Sequence, residues 1–235
     1  MYDILISAMA YDRGKSGISV YMNQVIKHMS AKHRLHIIIL AEDYEIFPVK
    51  NANTEFIVFP ESLRKPLFNM LWHLFVLPFR LKFSKYDFID TSRVAVHGWS
   101  GGGTATLNCL FQYPEIFHTG IAVAAVANQL TYDNIYQERY MGDPKESYQD
   151  YIDGSPIKYA KNLQGNLLYI HGTGDDNVHY QNAEMLANEL IKHKKVFYML
   201  SYPNRSHGIR EDDAYPHVRL MFTDFLKKNC PPGGR

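Results

Sequence analysis

The chain has 235 residues, of which 46% are apolar and 21% are charged, and its formal net charge is +1. These values are typical of a globular protein with a sizeable core, and the near-zero charge argues against a nucleic-acid partner. Its two cysteines, Cys109 and Cys230, are too few and too far apart for a disulfide framework, so we expect free thiols.

The N-terminal sequence "MYDILISAMA" has neither a basic region nor a long apolar core, so we expect no signal peptide and a cytoplasmic protein. The most apolar window, "PLFNMLWHLFVLPF" (66–79), is shorter than the roughly 20 residues that a transmembrane helix needs. It predicts a helix that is buried or lines a groove, with a membrane-surface helix as the alternative.

Strands and helices are predicted to alternate along the whole chain. The strand predictions are "DILISA" (3–8), "RLHIIIL" (34–40), "TEFIVF" (54–59), "RVAVHG" (93–98), "TGIAVAAV" (119–126), "NLLYIHGT" (166–173) and "KVFYMLSY" (195–202). Apolar residues at helical spacing predict helices over 16–30, 103–113, 181–194 and 218–229. This pattern indicates an α/β fold, a three-layer sandwich whose mostly parallel sheet has about seven strands.

The sequence "GWSGG", from Gly98 to Gly102, lies between a predicted strand and a predicted helix and fits the G-x-S-x-G nucleophile elbow. A serine in such a turn has a positive φ, so the residues two positions away must have little or no side chain. The pattern predicts Ser100 as a nucleophile and the N–H of Gly101 as an oxyanion donor. A glycine-rich turn without chemistry is the alternative.

A nucleophilic serine needs a general base and a carboxylate that orients the base. Asp175 and Asp176 follow one predicted strand, and His207 follows the last one. The order serine, acid, histidine is that of α/β-hydrolases and predicts a triad of Ser100, one of the two aspartates and His207. Other histidines are weaker candidates: His97 and His171 as packed or hydrogen-bonded core residues, and His179 as a loop residue.

Four stretches carry a resemblance to a known family: "DTSRVAVHGWSGGG", "GIAVAAVANQLTYDNIYQERYMG", "LLYIHGTGDDNVHYQNAEMLANEL" and "SHGI". Over residues 90–230 the chain resembles the C-terminal part of the catalytic domain of prolyl oligopeptidase-family serine peptidases, within their dipeptidyl peptidase IV branch. The resemblance implies a catalytic triad of Ser100, Asp175 and His207.

The same resemblance implies an apolar S1 pocket suited to proline or alanine, with Asn177 as a hydrogen-bond donor to a substrate carbonyl. The implied pocket residues are Val123, Val126, Tyr132, Tyr136 and Val178. From spacing alone, Tyr132 and Tyr136 fit core packing equally well. The chain departs from the family at Ala125, where the family usually has proline.

The N-terminal stretches "ILISAMAYDRGKSGISVYMNQVI" and "KPLFNMLWHLFVLPFRLKFSKYDFI" resemble the Rossmann-like N-terminal half-domain of GT-B glycosyltransferases of group 1/family 4. We therefore expect a glycosyltransferase-type segment over 1–88, a hydrolase segment over 89–230 and a flexible tail over 231–235. Such a junction is compatible with a natural fusion, a misassembled reading frame or an engineered chimera.

The two segments are expected to share one sheet, in which the strand over 3–8 lies beside the strand over 93–98. Tyr11 would then lie where the family has its oxyanion tyrosine, with an ordinary loop residue as the alternative.

The expected function is a serine hydrolase that acts on a peptide or ester through an acyl-enzyme, without metal or cofactor. We expect weak activity, because the family's propeller and first hydrolase strands are not in this sequence. The alternatives are an inactive folded scaffold and a glycosyltransferase-like fragment, in which Gly14 and Gly17 would help to bind a nucleotide or glycan acceptor. The oligomeric state is left open.

Overall fold

The computed structural model describes residues 1, 3–9, 11, 12, 15, 17–72, 76, 77 and 93–230. The predictions for Gly14, the chain junction and the C-terminal tail lie outside these residues. Contacts divide the chain into two compact units, Met1–Ile89 and Asp90–Arg235, called unit 1 and unit 2 below.

Unit 1 contains a parallel sheet in the order β1-β2-β3. Its strands are β1 (Asp3–Ser7), β2 (Arg34–Leu40) and β3 (Thr54–Phe59), and its helices are α1 (Gly17–Ser30), α2 (Ala41–Ile46) and α3 (Pro66–Leu71), with a 3-10 turn at Glu61–Arg64. β2 is the central strand and is buried continuously from its second residue onward. This is the burial expected of a parallel strand that is covered on both faces.

Unit 2 contains a second parallel sheet, in the order β4-β5-β6-β7. Its strands are β4 (Ala95–Trp99), β5 (Thr119–Val123), β6 (Asn166–Gly172) and β7 (Tyr198–Tyr202). Its helices are α4 (Gly101–Gln112), α5 (Asn134–Met141), α6 (Tyr148–Gly154), α7 (Gln181–Lys192) and α8 (Ala214–Asn229), with 3-10 turns at Gln129–Thr131, Pro156–Asn162 and Glu211–Asp213.

Two apolar clusters make unit 2 a three-layer structure. One joins Leu107 of α4 and Leu186 of α7 to Tyr169 on β6. The other joins Ile170 of β6 to Phe222 of α8. Because neighbouring residues of β6 pack into different clusters, helices cover both faces of the sheet.

All seven predicted strands are present, which confirms the α/β class. The single seven-stranded sheet is wrong: the described strands form one sheet of three and one of four. In the described residues β1 pairs with β2, and β4 pairs with β5. Successive βα units pair locally along the chain, and each ladder therefore closes within its own unit.

The apolar window over 66–79 begins as the predicted helix α3, and its residues 73–75, 78 and 79 lie outside the described part. Trp72 is buried and packs edge-on against Phe59 with ring centroids 4.8 Å apart, whereas Phe68 is exposed. Among the described residues, no helix combines the length and apolar character that crossing a bilayer requires.

Candidate active site

The turn between β4 and α4 holds Ser100 in a strained backbone conformation, with φ 57° and ψ −122°. Non-glycine residues rarely adopt such a conformation unless the surroundings enforce it. Here the N–H of Ser100 donates to the carbonyl of Val123 at 2.8 Å, and its carbonyl accepts from the N–H of Thr104 at 3.0 Å. The end of β5 and the first turn of α4 thus fix the serine from two sides.

The glycines around Ser100 are crowded unequally. A Cβ added at Gly98 would lie 2.0 Å from the carbonyl oxygen of Gly102, and one added at Gly103 would lie 2.7 Å from that of Val123. A Cβ at Gly101 or Gly102 would meet nothing within 4 Å. The sequence predicted a need for glycine two residues to either side of Ser100. The structure shows this need at Gly98, but on the helical side it falls on Gly103 rather than on Gly102.

Asp175 and His207 are brought together at the carboxyl ends of β6 and β7. Nδ1 of His207 lies 2.9 Å from Oδ2 and 3.1 Å from Oδ1 of Asp175. Oδ1 also accepts the backbone N–H groups of Asn177 and Val178, each at 2.9 Å. The side chain of Asp175 is fully buried, whereas Asp176 is exposed, so Asp175 is the aspartate on the histidine.

The environment of Asp175 favours its ionised form. Burial raises the pKa of this carboxyl, but the hydrogen bonds from His171, His207 and the two backbone amides lower it by more, and the net pKa lies well below the usual range. An ionised Asp175 can only accept hydrogen bonds, so Nδ1 of His207 carries the proton. Nε2 of His207 is then left as an acceptor, which is what a general base needs.

The loops of the nucleophile and the base are tied together through Trp99, whose Nε1–H donates to the carbonyl of His207 at 2.9 Å. Within the described residues, neither Oγ of Ser100 nor Nε2 of His207 makes a hydrogen bond. The serine–histidine bond of a triad is therefore not formed in this structure, and the triad stays a prediction. Such bonds commonly tighten only when substrate binds.

The loop that carries His207 is itself strained and pinned. Ile209, a buried β-branched residue, has a φ of 46°, an unfavourable conformation for its type. The hydroxyl of Ser206 donates to the carboxylate of Glu211, and the Arg205 guanidinium donates to the carbonyl of Glu211 at 3.2 Å. These bonds limit the freedom of the base.

A cavity of about 260 Å³ opens beside Ser100. Its lining residues are Ser100, Gly101, Thr104, Val126, Gln129, Tyr132, Tyr136 and Gln137. Three residues of the expected S1 pocket therefore lie on the same cavity as the expected nucleophile.

The other expected pocket residues are not among the lining residues of this cavity. Val123 and Val178 are fully buried, Val123 in the sheet core and Val178 with its backbone N–H bonded to Asp175. Their place in the S1 pocket stays a prediction. Asn177 is exposed, and its Oδ1 accepts the hydroxyl proton of Tyr132 at 2.8 Å. That bond turns the Asn177 N–H2 group away from Tyr132 and leaves it as a donor.

Thr104, Gln129 and Gln137 are lining residues that the sequence did not single out. Thr104 exchanges two hydrogen bonds with the backbone of Val126, at 3.0 and 3.1 Å, and so fixes the pocket wall to α4. Gln137 donates to Gln129, which in turn donates to the carbonyl of Gly154 at 3.2 Å. The pocket lining therefore includes two side-chain amides besides its tyrosines. The available signal was the position of Thr104, one helical turn after Ser100.

The remaining histidines occupy different environments. Nδ1 of His97 hydrogen-bonds to the carbonyl of Ile121 at 3.1 Å, and its ring packs against Phe222. His179 is an exposed loop residue. His171 is buried, as expected, but its Nε2 lies 3.1 Å from Oδ2 of Asp175. The sequence did not predict this contact with the candidate triad.

Tyr11 belongs to unit 1, where its ring is buried and packs edge-on against Phe47. Its hydroxyl accepts a hydrogen bond from Nδ2 of Asn23 at 3.2 Å. The role of Tyr11 as an oxyanion donor stays a prediction.

Comparisons with known proteins indicate the family of the chain. The model of the prolyl oligopeptidase family matches residues 79–231. Dipeptidyl peptidase 8 of Homo sapiens is 38% identical over 149 residues, which are 62% of this chain and 17% of that protein. Dipeptidyl peptidase 4 of Bos taurus is 37% identical over 150 residues, which are 63% of this chain and 20% of that protein.

Among solved structures, that of Porphyromonas gingivalis dipeptidyl peptidase 4 is similar, with a TM-score of 0.63 and 27% identity. The similarity covers 85% of this chain and 32% of that one. The chain spans about a fifth of the length of the curated relatives it matches. The Rossmann-like glycosyltransferase resemblance of residues 1–88, and the idea of a chimera, stay predictions.

Proposed function

Because this chain belongs to the prolyl oligopeptidase family, we propose that it is a serine hydrolase of the dipeptidyl peptidase type that works through an acyl-enzyme. The observation that carries the proposal is the hydrogen bond from Nδ1 of His207 to the buried carboxylate of Asp175. The loop that carries His207 is tied to the nucleophile elbow by the hydrogen bond from Trp99. An ionised acid, an oriented imidazole and a serine in a strained turn are the parts that this chemistry requires.

In the proposed reaction, Oγ of Ser100 attacks the substrate carbonyl while Nε2 of His207 takes the hydroxyl proton. The negative charge that develops on the carbonyl oxygen faces the N–H of Gly101, an exposed amide at the start of α4. Protonated His207, stabilised by Asp175, returns the proton to the leaving amine or alcohol. Water then attacks the acyl-enzyme by the same route in reverse.

We propose proline or alanine as the preferred P1 residue. Val126 and the pair Tyr132–Tyr136, whose rings meet edge to face at 5.6 Å, offer an apolar slot beside Ser100. The cavity is large enough for a pyrrolidine ring. Asn177, whose Oδ1 accepts the hydroxyl proton of Tyr132, would donate its N–H2 group to the substrate carbonyl.

The activities of the full-length relatives remain proposals for this chain, which spans about a fifth of their length. In the described part of unit 2, the N–H of Gly101 is the proposed oxyanion donor, and one such donor is worth on the order of 10² to 10³ in rate.

A fluorophosphonate probe tests this proposal without a choice of substrate. We expect labelling of the wild-type chain that disappears in Ser100→Ala and in His207→Ala, because both the nucleophile and its base are required. His179→Ala, which alters an exposed loop histidine, is the control and should label normally. Failure of the folded wild-type chain to label, or labelling that persists in Ser100→Ala, would contradict the proposal. Hydrolysis of a Gly-Pro chromogenic substrate then tests the P1 preference.

A further inference from the structure

Two imidazole rings share the buried carboxylate of the site. His171, near the end of β6, is fully buried, and its Nε2 lies 3.1 Å from Oδ2 of Asp175. The same oxygen is 2.9 Å from Nδ1 of His207. Asp175 thus bridges the expected general base and a second histidine that solvent does not reach.

The neighbours of His171 determine which ring nitrogen carries the hydrogen. Nε2 lies 2.8 Å from the carbonyl oxygen of Val178 as well as 3.1 Å from Asp175. Both neighbours are acceptors, so Nε2 carries a hydrogen. Nδ1 lies 3.1 Å from the hydroxyl of Tyr169. The surroundings therefore place a hydrogen on Nε2, where it faces Oδ2 of Asp175.

Asp175 is the charged group that faces this ring. Among the described residues, the other titratable groups that face His171 are Tyr169 and Tyr180, whose ring meets it edge-on at 5.6 Å, with His207 beyond the carboxylate. When His207 becomes cationic during acyl transfer, Asp175 balances that charge.

We propose that His171 is a positioning residue, whose Nε2–H fixes Oδ2 of Asp175 and thereby the acceptor on which His207 depends. Two backbone amides hold Oδ1, and His171 holds Oδ2, so the plane of the carboxylate is set before His207 binds to it. The inference rests on the proposed function, because the orientation of His207 matters only if it acts as the base.

The arrangement also reaches the pocket wall. The hydroxyl of Tyr169 lies 3.1 Å from the carbonyl of Ala125, which directly precedes the lining residue Val126. Hydrogen bonds therefore run from the pocket wall through Tyr169, His171 and Asp175 to His207. Core packing alone would not require this chain of polar contacts through His171.

Histidine-selective ¹⁵N NMR of the unmodified chain at neutral pH tests the geometry without any turnover. We expect one buried imidazole with a protonated Nε2, assigned to His171 by its absence in His171→Gln. An Nε2 that carries no hydrogen would overturn the positioning role. Absence of fluorophosphonate labelling would contradict the proposed function instead, so the two failures are distinguishable.

Kinetics as a function of pH test the consequence. His171→Phe removes the donor and should lower kcat/KM about 10- to 100-fold, mainly through kcat, because a hydrogen bond to a charged group is lost. The acid limb of the profile should move to higher pH, since more of the charge of Asp175 then acts on His207 and favours its protonated, inactive form. His171→Gln keeps an N–H donor and should recover most of the activity.

The matched control is His193→Gln, because Nε2 of His193 lies 2.9 Å from a surface carboxylate, that of Glu189 on α7. This variant should behave as the wild type. Equal losses in His171→Phe and His171→Gln with an unchanged pH profile would mean that His171 only fills space, and would overturn the proposal. If His171→Phe does not fold, His171→Gln and the NMR measurement still decide.

Discussion

The unequal crowding around Ser100 predicts that Gly98→Ala inactivates the protein while Gly102→Ala does not. Both glycines belong to the sequence motif, and both substitutions add a single methyl group. At Gly98 that methyl would lie 2.0 Å from the carbonyl oxygen of Gly102, whereas at Gly102 it would meet nothing within 4 Å. The pair is therefore a matched test of where the elbow is tight.

The size of the effect follows from the contact. An ordinary Cβ contact begins near 3.4 Å, so the elbow must open by more than about 1 Å to accept Gly98→Ala. The clashing atom belongs to the backbone of the first turn of α4 and cannot rotate away. A displacement of about 1 Å at a catalytic group costs on the order of 100-fold in rate, and such overpacking costs about 1 to 3 kcal/mol in stability.

The rate of fluorophosphonate labelling and the thermal midpoint measure these two effects. We expect Gly98→Ala to label at least about 100-fold more slowly and to melt earlier. We expect Gly102→Ala to stay within a few fold of the wild type. Normal labelling by Gly98→Ala, or equal damage in both variants, would refute the steric account of the elbow.

Two further predictions concern the acid and the pocket. Because the pKa of Asp175 is lowered in the folded state, the native protein binds fewer protons at low pH than the unfolded chain does. The stabilisation that this carboxylate contributes is therefore complete above the unfolded pKa of about 3.9 and is lost as pH falls below it. Thermal melts from about pH 2 to 7 should therefore show a weaker pH dependence in Asp175→Asn than in the exposed control Asp176→Asn, and equal slopes would argue against this linkage. Asn177→Ala should lower kcat/KM for a dipeptide amide about 10-fold through the lost hydrogen bond and leave fluorophosphonate labelling unchanged, since that probe has no substrate carbonyl at this subsite. A parallel loss of labelling would indicate instead that Asn177 supports Asp175.

The strands and the order of the candidate site residues could be predicted because both depend on local pattern. Short apolar runs bounded by turn residues predicted the position of every described strand. In a parallel sheet the carboxyl ends of the strands meet at one edge. Polar residues that directly follow β4, β6 and β7 were therefore expected together, and Asp175 and His207 do meet there.

Features that depend on packing could not be predicted in the same way. Leu186, Leu190 and Ile191 of α7 are apolar residues at helical spacing, but Ile191 is 63% exposed. The buried face of this helix is rotated toward Ala183, which is buried together with Leu186 and Leu190. Helical periodicity defines an apolar face only to within about one residue, and the rotation is set by neighbours that the sequence does not reveal.

The contact of His171 with Asp175 was missed for a related reason. The two residues are four apart in sequence. On a helix this spacing places two side chains on the same face, but across the turn that ends a strand it predicts no contact. The pairing of strands into two sheets was also missed, because an apolar run shows that a strand exists and not which strand it joins.

The strand order places the candidate nucleophile just after an edge strand of its sheet. β4, which ends one residue before Ser100, is the first strand of its sheet and is hydrogen-bonded only to β5 among the described residues. Edge segments open at lower free energy than central strands, and their amide hydrogens exchange earlier. We therefore expect local fraying of β4, rather than global unfolding, to limit how long the candidate site stays assembled, with the Trp99–His207 hydrogen bond opposing that fraying. Amide exchange at β4 would accordingly serve as a direct gauge of how long the site stays assembled.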